Sequence, residues 1–280
     1  MITRMEVLNW HTAAPELPLG GFMPNDDPVQ ILNIEGLGPV TAAIASSPFA
    51  TGRGDMFQGA STGKRNIVLT LGLNPNWADQ TISSLRQLLY KYLLPEQWTR
   101  LRFFSDHLPT VDIAGVVEAF EPNIFAQDPE IQISILCPKP DFIDVDATFL
   151  SGKVGVDEME INYVGTVATG FELRIYSSSD RNEYTGYLVI RNKTVSKNEA
   201  FQVLNATVDP ATYLTLNTLK STRWIRSIYP ADDFSVNILA KMATNSVWPE
   251  LSPGENLFSV DAAAPGQDWI LGYFNRFGGL

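Results

Sequence analysis

Short runs in which apolar and polar residues alternate recur along most of the chain, and this two-residue period is typical of half-buried β-strands. The clearest runs are 66–72, 111–120 and 130–137, each followed within a few residues by proline, which interrupts strands. Further strands are predicted at 31–36, 39–44, 100–104, 159–163, 170–176, 187–190, 200–205, 212–217, 224–228, 234–239, 256–260 and 269–274. The pattern therefore predicts a mainly β protein.

One segment repeats at steps of three and four residues instead, which is the period of an amphipathic helix. Its apolar stripe consists of Ile82, Leu85, Leu88, Leu89, Tyr92 and Leu93. Asn and Asp residues before this stripe can cap a helix, and Pro95 ends it. We expect a single helix over 78–94 that packs on a sheet.

The strand pattern is interrupted near 138–148, where Pro138 and Pro140 cannot donate hydrogen bonds to a sheet. We place a domain boundary there. The first domain, 1–140, contains the helix and is expected to be a barrel-like or sandwich-like β domain. The second domain, 146–280, has many short strands and no helix, which favours a two-sheet sandwich or jelly roll.

Residues 46–65 depart from this pattern because they are rich in glycine. We expect them to form a long loop between two strands. A loop of about twenty residues is unusual in a compact domain and tends to carry function.

The 280-residue chain carries 20 Lys and Arg against 31 Asp and Glu, a net charge of −11. This acidic balance argues against a nucleic-acid-binding surface and against docking on an anionic membrane. Hydrophobic residues make up 45% of the chain, enough for a packed core. The amino-terminal residues lack the apolar core of a signal peptide, so we expect synthesis in the cytoplasm without export.

The residue counts give little support to a metal or cofactor site. Cys137 is the only cysteine, which excludes an intrachain disulfide and a thiolate cluster for zinc. His11 and His107 are the only histidines, too few for a histidine-rich metal site. Asp144 and Asp146 fit the exposed charges of a linker better than a metal site. We expect Cys137 to be a small buried apolar residue, and we expect no metal or cofactor.

No catalytic motif is complete. The run 59–65 lacks the first glycine and the hydroxyl of a phosphate-binding loop, and 36–38 lacks the third glycine of a dinucleotide site. Asp106 and His107 adjoin Ser105, but the segment is typical of an exposed turn and no nucleophile elbow is present. We therefore expect no enzyme, although 31 acidic residues leave a carboxylate pair for glycoside hydrolysis open.

Aromatic residues in the second domain indicate a different kind of function. Trp224 and Trp248 lie among the predicted strands, and rings exposed on a β-sandwich can stack on sugars. Both are candidate contacts for a glycan or a protein partner. The alternative is packing in the core or at an interface, where most tryptophans are found.

Four features occur together in this chain: the run 57–72 that leads into a strand, the helix 82–94, the strand pair 111–120 and 130–135, and the late segment 248–260 with its Leu-Ser-Pro-Gly-Glu-Asn turn. Together they resemble the distal tail proteins, called Dit, of long-tailed bacteriophages. The resemblance implies that the first half forms a six-fold ring and that the second half is a galectin-like β-sandwich.

The resemblance also implies a structural role at the tail tip of a virion assembled in the host cytoplasm. The ring would join the tail tube to the tail-tip hub protein, and sometimes to receptor-binding proteins, and would leave a channel for DNA. Acidic groups facing that channel would repel DNA phosphates, which gives the net charge of −11 a possible role. The alternative is a carbohydrate-binding module that recognises a host-surface glycan.

A ring closes through head-to-tail contacts between copies of the chain, and 46–65 is the candidate arm that makes them. The candidate interface residues are Arg53, Met56, Phe57, Lys64 and Arg65. A surface loop without such contacts is the alternative. If the arm interpretation holds, deleting 52–62 leaves a soluble monomer.

Overall fold

A computed structural model describes residues 2–9, 17–19, 27–76, 78–123, 129–176, 184–194, 200–208, 212–230, 233–262 and 266–280. His11 lies outside the described residues. The chain divides into two compact units, one made of 1–145 with 277–280 and the other of 146–276. Strands predominate in both, and the prediction of a mainly β fold is confirmed.

The first unit contains strands β1 to β10 and one helix. Their bounds are β1 Ile2–Asn9, β2 Leu17–Leu19, β3 Val29–Glu35, β4 Ala42–Pro48, β5 Asp55–Thr62, β6 Arg65–Leu73, α1 Ile82–Leu93, β7 Trp98–Ser105, β8 Val111–Pro122, β9 Glu130–Cys137 and β10 Phe142–Asp144. The large sheet has the order β2-β1-β7-β8-β9-β6-β3, and β10 pairs with β8. The strands β4 and β5 form a separate two-stranded sheet.

The centre of the large sheet follows the predicted alternation. In β6 every second residue is buried, and Leu69 lies opposite Ile133 of β9 with both side chains fully buried. Burying such a side chain stabilises the fold by about 1.5–3 kcal/mol. The core of this unit therefore lies on the face of the sheet that these positions share.

The helix packs its predicted apolar stripe against this core, with Leu85, Leu89 and Leu93 buried. It begins at Ile82 rather than at 78, because Thr81 is extended and caps it. The Thr81 hydroxyl accepts a hydrogen bond from the backbone N–H of Ser84, and the Ser84 hydroxyl accepts one from the backbone N–H of Thr81. This reciprocal pair satisfies two of the free donors at the helix start.

The prediction of a long loop over 46–65 is wrong, because most of it is a β-hairpin. Strands β4 and β5 pair antiparallel from Ala42 opposite Thr62 to Pro48 opposite Asp55, with one bulge. Of the four glycines in 46–65, Gly52 and Gly54 lie in the turn, Gly59 lies in β5 and Gly63 follows it, and Gly54 has a φ of 93° that favours glycine. The predicted strand 39–44 covers only the first residues of β4, and β5 was not recognised, because neither face of these strands is buried.

The second unit contains strands β11 to β20, and the short β21 begins at its last residue and continues into the terminal segment of the first unit. Their bounds are β11 Thr148–Lys153, β12 Glu158–Tyr163, β13 Glu172–Tyr176, β14 Tyr184–Asn192, β15 Phe201–Val208, β16 Tyr213–Asn217, β17 Trp224–Tyr229, β18 Phe234–Asn237, β19 Gly254–Ala262, β20 Asp268–Tyr273 and β21 Arg276–Phe277. One sheet has the order β11-β20-β13-β16-β17-β18 and the other β12-β19-β14-β15.

The two sheets of the second unit share one core. Trp269 of β20 and Phe258 of β19 are both fully buried, and their ring centroids lie 5.9 Å apart. Phe258 also meets Phe171 edge to face at 5.2 Å. Aromatic contacts between the sheets therefore close the sandwich.

The last residues of the chain belong to the first unit and not to the second. The backbone N–H of Leu280 donates to the carbonyl oxygen of Leu37, and Phe277 is buried in the first core. The second unit therefore ends at residue 276, four residues before the end of the domain predicted from the sequence. No helix in the described segments is long and apolar enough to cross a membrane.

Candidate functional site

The hairpin of β4 and β5 is the most exposed element of the first unit. Four large apolar side chains on it, which we call the hairpin surface, are largely open to solvent: Ile44 (69% exposed), Phe49 (51%), Met56 (52%) and Phe57 (66%). Single exposed apolar residues are ordinary, but a group on one element is typical of an interaction site. Met56 and Phe57 were predicted from the sequence as interface residues, whereas Ile44 and Phe49 were not.

Pairing within the hairpin divides these side chains between its two faces. Ser46 lies opposite Phe57 and Ser47 lies opposite Met56, so Phe57 and Met56 point to opposite faces. Ile44, two residues from Ser46, shares the face of Phe57. Both faces therefore carry apolar groups, and a partner could cover either of them.

The turn of the hairpin carries Arg53 and Gly54. The Asp55 carboxylate accepts a hydrogen bond of 2.9 Å from the Ser46 hydroxyl across the strands. The backbone N–H of Phe49 donates to the carbonyl oxygen of Gly54 at 3.3 Å. These bonds fix the turn locally, and the side chain of Arg53 is exposed beside it.

The two other predicted interface cations have different surroundings. Lys64 is exposed between β5 and β6. Arg65 is 2% exposed, and its guanidinium donates to the carbonyl oxygens of Gly36, Gly38, Pro140 and Gly278. The expectation that Arg65 lies on the contact surface is therefore wrong: all its donor groups point into its own unit.

The two tryptophans singled out in the second unit are both half-buried. Trp248 packs against Phe201 with ring centroids 4.6 Å apart, and the Arg223 guanidinium lies 5.6 Å from its ring. Trp224 lies at the start of β17, with the Arg226 guanidinium 5.0 Å from its ring. Part of each ring is thus occupied by neighbours within the unit.

The residues considered for catalysis do not form a catalytic group. The Ser105 hydroxyl accepts hydrogen bonds from the backbone N–H groups of His107 and Leu108, as in a capped turn. Asp106 and His107 are exposed in that turn. Within the part of the chain that the structure describes, no three His, Cys, Asp or Glu side chains come together as a metal site requires.

The expectation for Cys137 as a buried apolar residue is confirmed. Its side chain is fully buried in β9, and burial raises the pKa of the thiol to about 12. The nearby Arg65 guanidinium acts in the opposite direction but is the weaker influence. The thiol is therefore protonated at neutral pH.

The fold of the chain is similar to that of a known protein. No protein-family model matches the sequence, and no curated protein matches it. The structure is similar to the crystal structure of the Dit protein of phage SPP1, with a TM-score of 0.64 and 13% sequence identity. The match covers 98% of this chain and 99% of that chain. The chain has the Dit fold.

The SPP1 protein is presented as a paradigm of the hub adsorption apparatus in phages that infect Gram-positive bacteria. Two structures of the phage p2 baseplate in its activated conformation were also found. The one with Sr matches with a TM-score of 0.43 and 8% identity over 96% of this chain and 97% of that chain. The one with Ca matches at 0.44 and 8% over 97% and 98%. The match to the SPP1 protein spans both units of the chain.

Proposed function

We propose that the chain is a structural protein of a phage tail tip, a Dit-type hub that forms a ring joining the tail tube to the tail-tip proteins. The observation that carries this proposal is the similarity to the SPP1 Dit protein over nearly the full length of both chains. A partial match would support one module only, whereas this match includes both units.

The hairpin surface supports self-assembly on physical grounds. A two-stranded sheet is marginally stable in water without a third strand or a packed face. The hairpin of β4 and β5 is such a sheet, and almost all of its side chains are exposed. A second copy of the chain that covers Ile44 and Phe57 would supply the missing packing. We assign this contact to the ring interface.

The remaining parts of the proposal follow from the same role. The ring would hold six copies and would contact the tail tube protein, the hub protein and receptor-binding proteins. It would act in the assembled virion, without catalysis or a cofactor. The net charge of −11 suits a channel that DNA crosses without adhering.

The experiment that tests the interface compares assembly of the intact chain with that of a double variant, Ile44→Asp with Phe57→Asp. Sedimentation velocity should show rings for the intact chain and 31.0 kDa monomers for the variant, because two carboxylates would be desolvated at the contact. Deletion of 52–62, which removes part of the turn and all of β5, should have the same effect.

The matched control is Val164→Asp, which adds a carboxylate at a 59% exposed apolar residue of the second unit. This control should assemble like the intact chain. Rings formed equally well by the double variant would contradict the role of the hairpin surface.

A further inference from the structure

The outer face of the six-stranded sheet in the second unit carries a row of paired positions that crosses five strands. In β13 and β16 the residues Leu173, Ile175, Leu214 and Leu216 enter the core, so their neighbours point outward. The row consists of Phe149, Gly272, Glu172, Asn217 and Trp224, each opposite the next. It thus has an aromatic ring at each end and a glycine, a carboxylate and an amide between them.

A cavity of about 500 Å³ lies over the first four positions of this row. Gly272 creates its floor, because a Cβ atom there would stand 2.8 Å from the ring of Phe149. The Phe149 ring leans across the glycine and is 70% exposed, and Phe274 on another wall is 44% exposed. The cavity is of a size that small ligands occupy.

Polar groups fixed in position line the other side of the cavity. Arg174 donates from Nε and Nη2 to the same Glu172 oxygen, Oε1, at 2.9 and 2.8 Å, and this bond raises the pKa of Arg174. The Asn217 carbonyl oxygen accepts from the backbone N–H of Leu219 at 2.9 Å, which directs the NH2 group of the amide as a donor. A ligand therefore meets a guanidinium, a carboxylate and an amide that are already oriented.

We propose that this cavity binds an uncharged saccharide. A pyranose presents C–H groups on one face and hydroxyl groups at its edge. The C–H face fits the exposed Phe149 ring, and the hydroxyl groups can bond to Arg174, Glu172 and Asn217, each of which can both hold and orient a hydroxyl.

Charge and solvation favour this occupant over others. Arg174 is paired with Glu172, and among the described residues of the lining Arg276 is the one charged residue outside that ion pair, whereas a nucleic acid would need clustered Lys and Arg. An apolar protein surface would bury the ion pair without new hydrogen bonds, which is unfavourable. A polyol replaces the water around the pair with hydroxyl groups. The proposal goes beyond the ring and does not depend on it.

The test measures binding of free galactose, glucose, N-acetylglucosamine and rhamnose to the full chain by saturation-transfer-difference NMR and by titration. We expect at least one of the four to bind. Phe149→Ala and Arg174→Met should each weaken that binding about tenfold or more, since a ring contact or a charged hydrogen bond is lost. Phe234→Ala is the matched control, because this 57% exposed ring of β18 lies outside the cavity.

Three results would overturn the proposal: no binding by any of the four sugars, unchanged binding in both variants, or equal weakening in the control. Sedimentation of the same samples separates this proposal from the ring. The Phe149→Ala variant should bind sugar more weakly and keep its assembly state. The double variant of Ile44 and Phe57 should lose assembly and keep sugar binding.

Discussion

The Arg65 guanidinium donates a hydrogen bond of 2.6 Å to the carbonyl oxygen of Gly278, 213 residues further along the chain. The same group donates to carbonyl oxygens of Gly36 and Gly38 before the hairpin and of Pro140 after β9. One buried cation thus holds three segments that are distant in sequence. Burial lowers the pKa of Arg65 from its ordinary high value, and Cys137 and Asp141 oppose this effect.

Replacing Arg65 should destabilise the first unit strongly. Arg65→Met keeps much of the volume but leaves four carbonyl oxygens without their donor, so the free energy of unfolding should fall by about 3 kcal/mol or more. Urea unfolding followed by circular dichroism measures the change. Arg191→Met is the control, because the surface ion pair of Arg191 with Asp261 should contribute about 1 kcal/mol or less. Equal losses of stability in the two variants would show that the bonds from Arg65 to the four carbonyl oxygens do not stabilise the first unit.

Cys137 should make the protein less stable in alkali. Its folded-state pKa of about 12 lies above that of an exposed thiol, about 8.5 in an unfolded chain. The unfolded state therefore loses its proton first, and stability declines from about pH 8.5 towards 12 by about 1.4 kcal/mol per unit. Cys137→Ala should lack this part of the slope when unfolding free energies of both proteins are compared at about pH 8 and pH 10. If the unfolding free energy fell equally with pH in both proteins, Cys137 would not be the cause of the decline.

The helix cap should make a measurable contribution. Thr81→Ala removes the acceptor for the N–H of Ser84 and should cost about 1 kcal/mol of stability. Ser83→Ala, at an exposed position inside the helix, should change stability by no more than about 0.5 kcal/mol. Thermal unfolding of both variants compares the two positions, and a larger loss at Ser83 would be incompatible with the cap.

Gly115 should tolerate no side chain. A Cβ atom there would stand 2.7 Å from Ile135 Cγ2 and 2.8 Å from the backbone oxygen of Leu136, so Gly115→Ala should cost about 1–3 kcal/mol through overpacking. Gly63→Ala, where a Cβ would meet nothing within 4 Å, is the matched control and should be close to neutral. A neutral Gly115→Ala would mean that strands β8 and β9 can separate at this point.

The strands predicted most clearly from the sequence have one buried face, although β18, which is exposed throughout, was also predicted and β1, which buries Met5 and Val7, was not. The run 66–72 became β6, in which Ile67, Leu69 and Leu71 are buried and their neighbours are not. The helix was found for the same reason, but its start was not. Thr81 caps it through Ser84, whereas the usual sequence signature has Glu or Gln at that position.

The hairpin and the saccharide cavity could not be found in this way. Strands β4 and β5 bury neither face, so no period of apolar residues marks them. Phe149, Gly272 and Glu172 are neighbours only through the strand order β11-β20-β13, which the residue pattern does not specify. Arg65 was assigned to the surface because its four carbonyl partners come from distant segments.

The measurement that tests the central claim most directly is negative-stain electron microscopy of the intact purified chain. We expect six-fold rings with an open centre, and a mass in sedimentation that is six times 31.0 kDa. Single two-unit particles at the monomer mass, at every concentration and ionic strength examined, would contradict it.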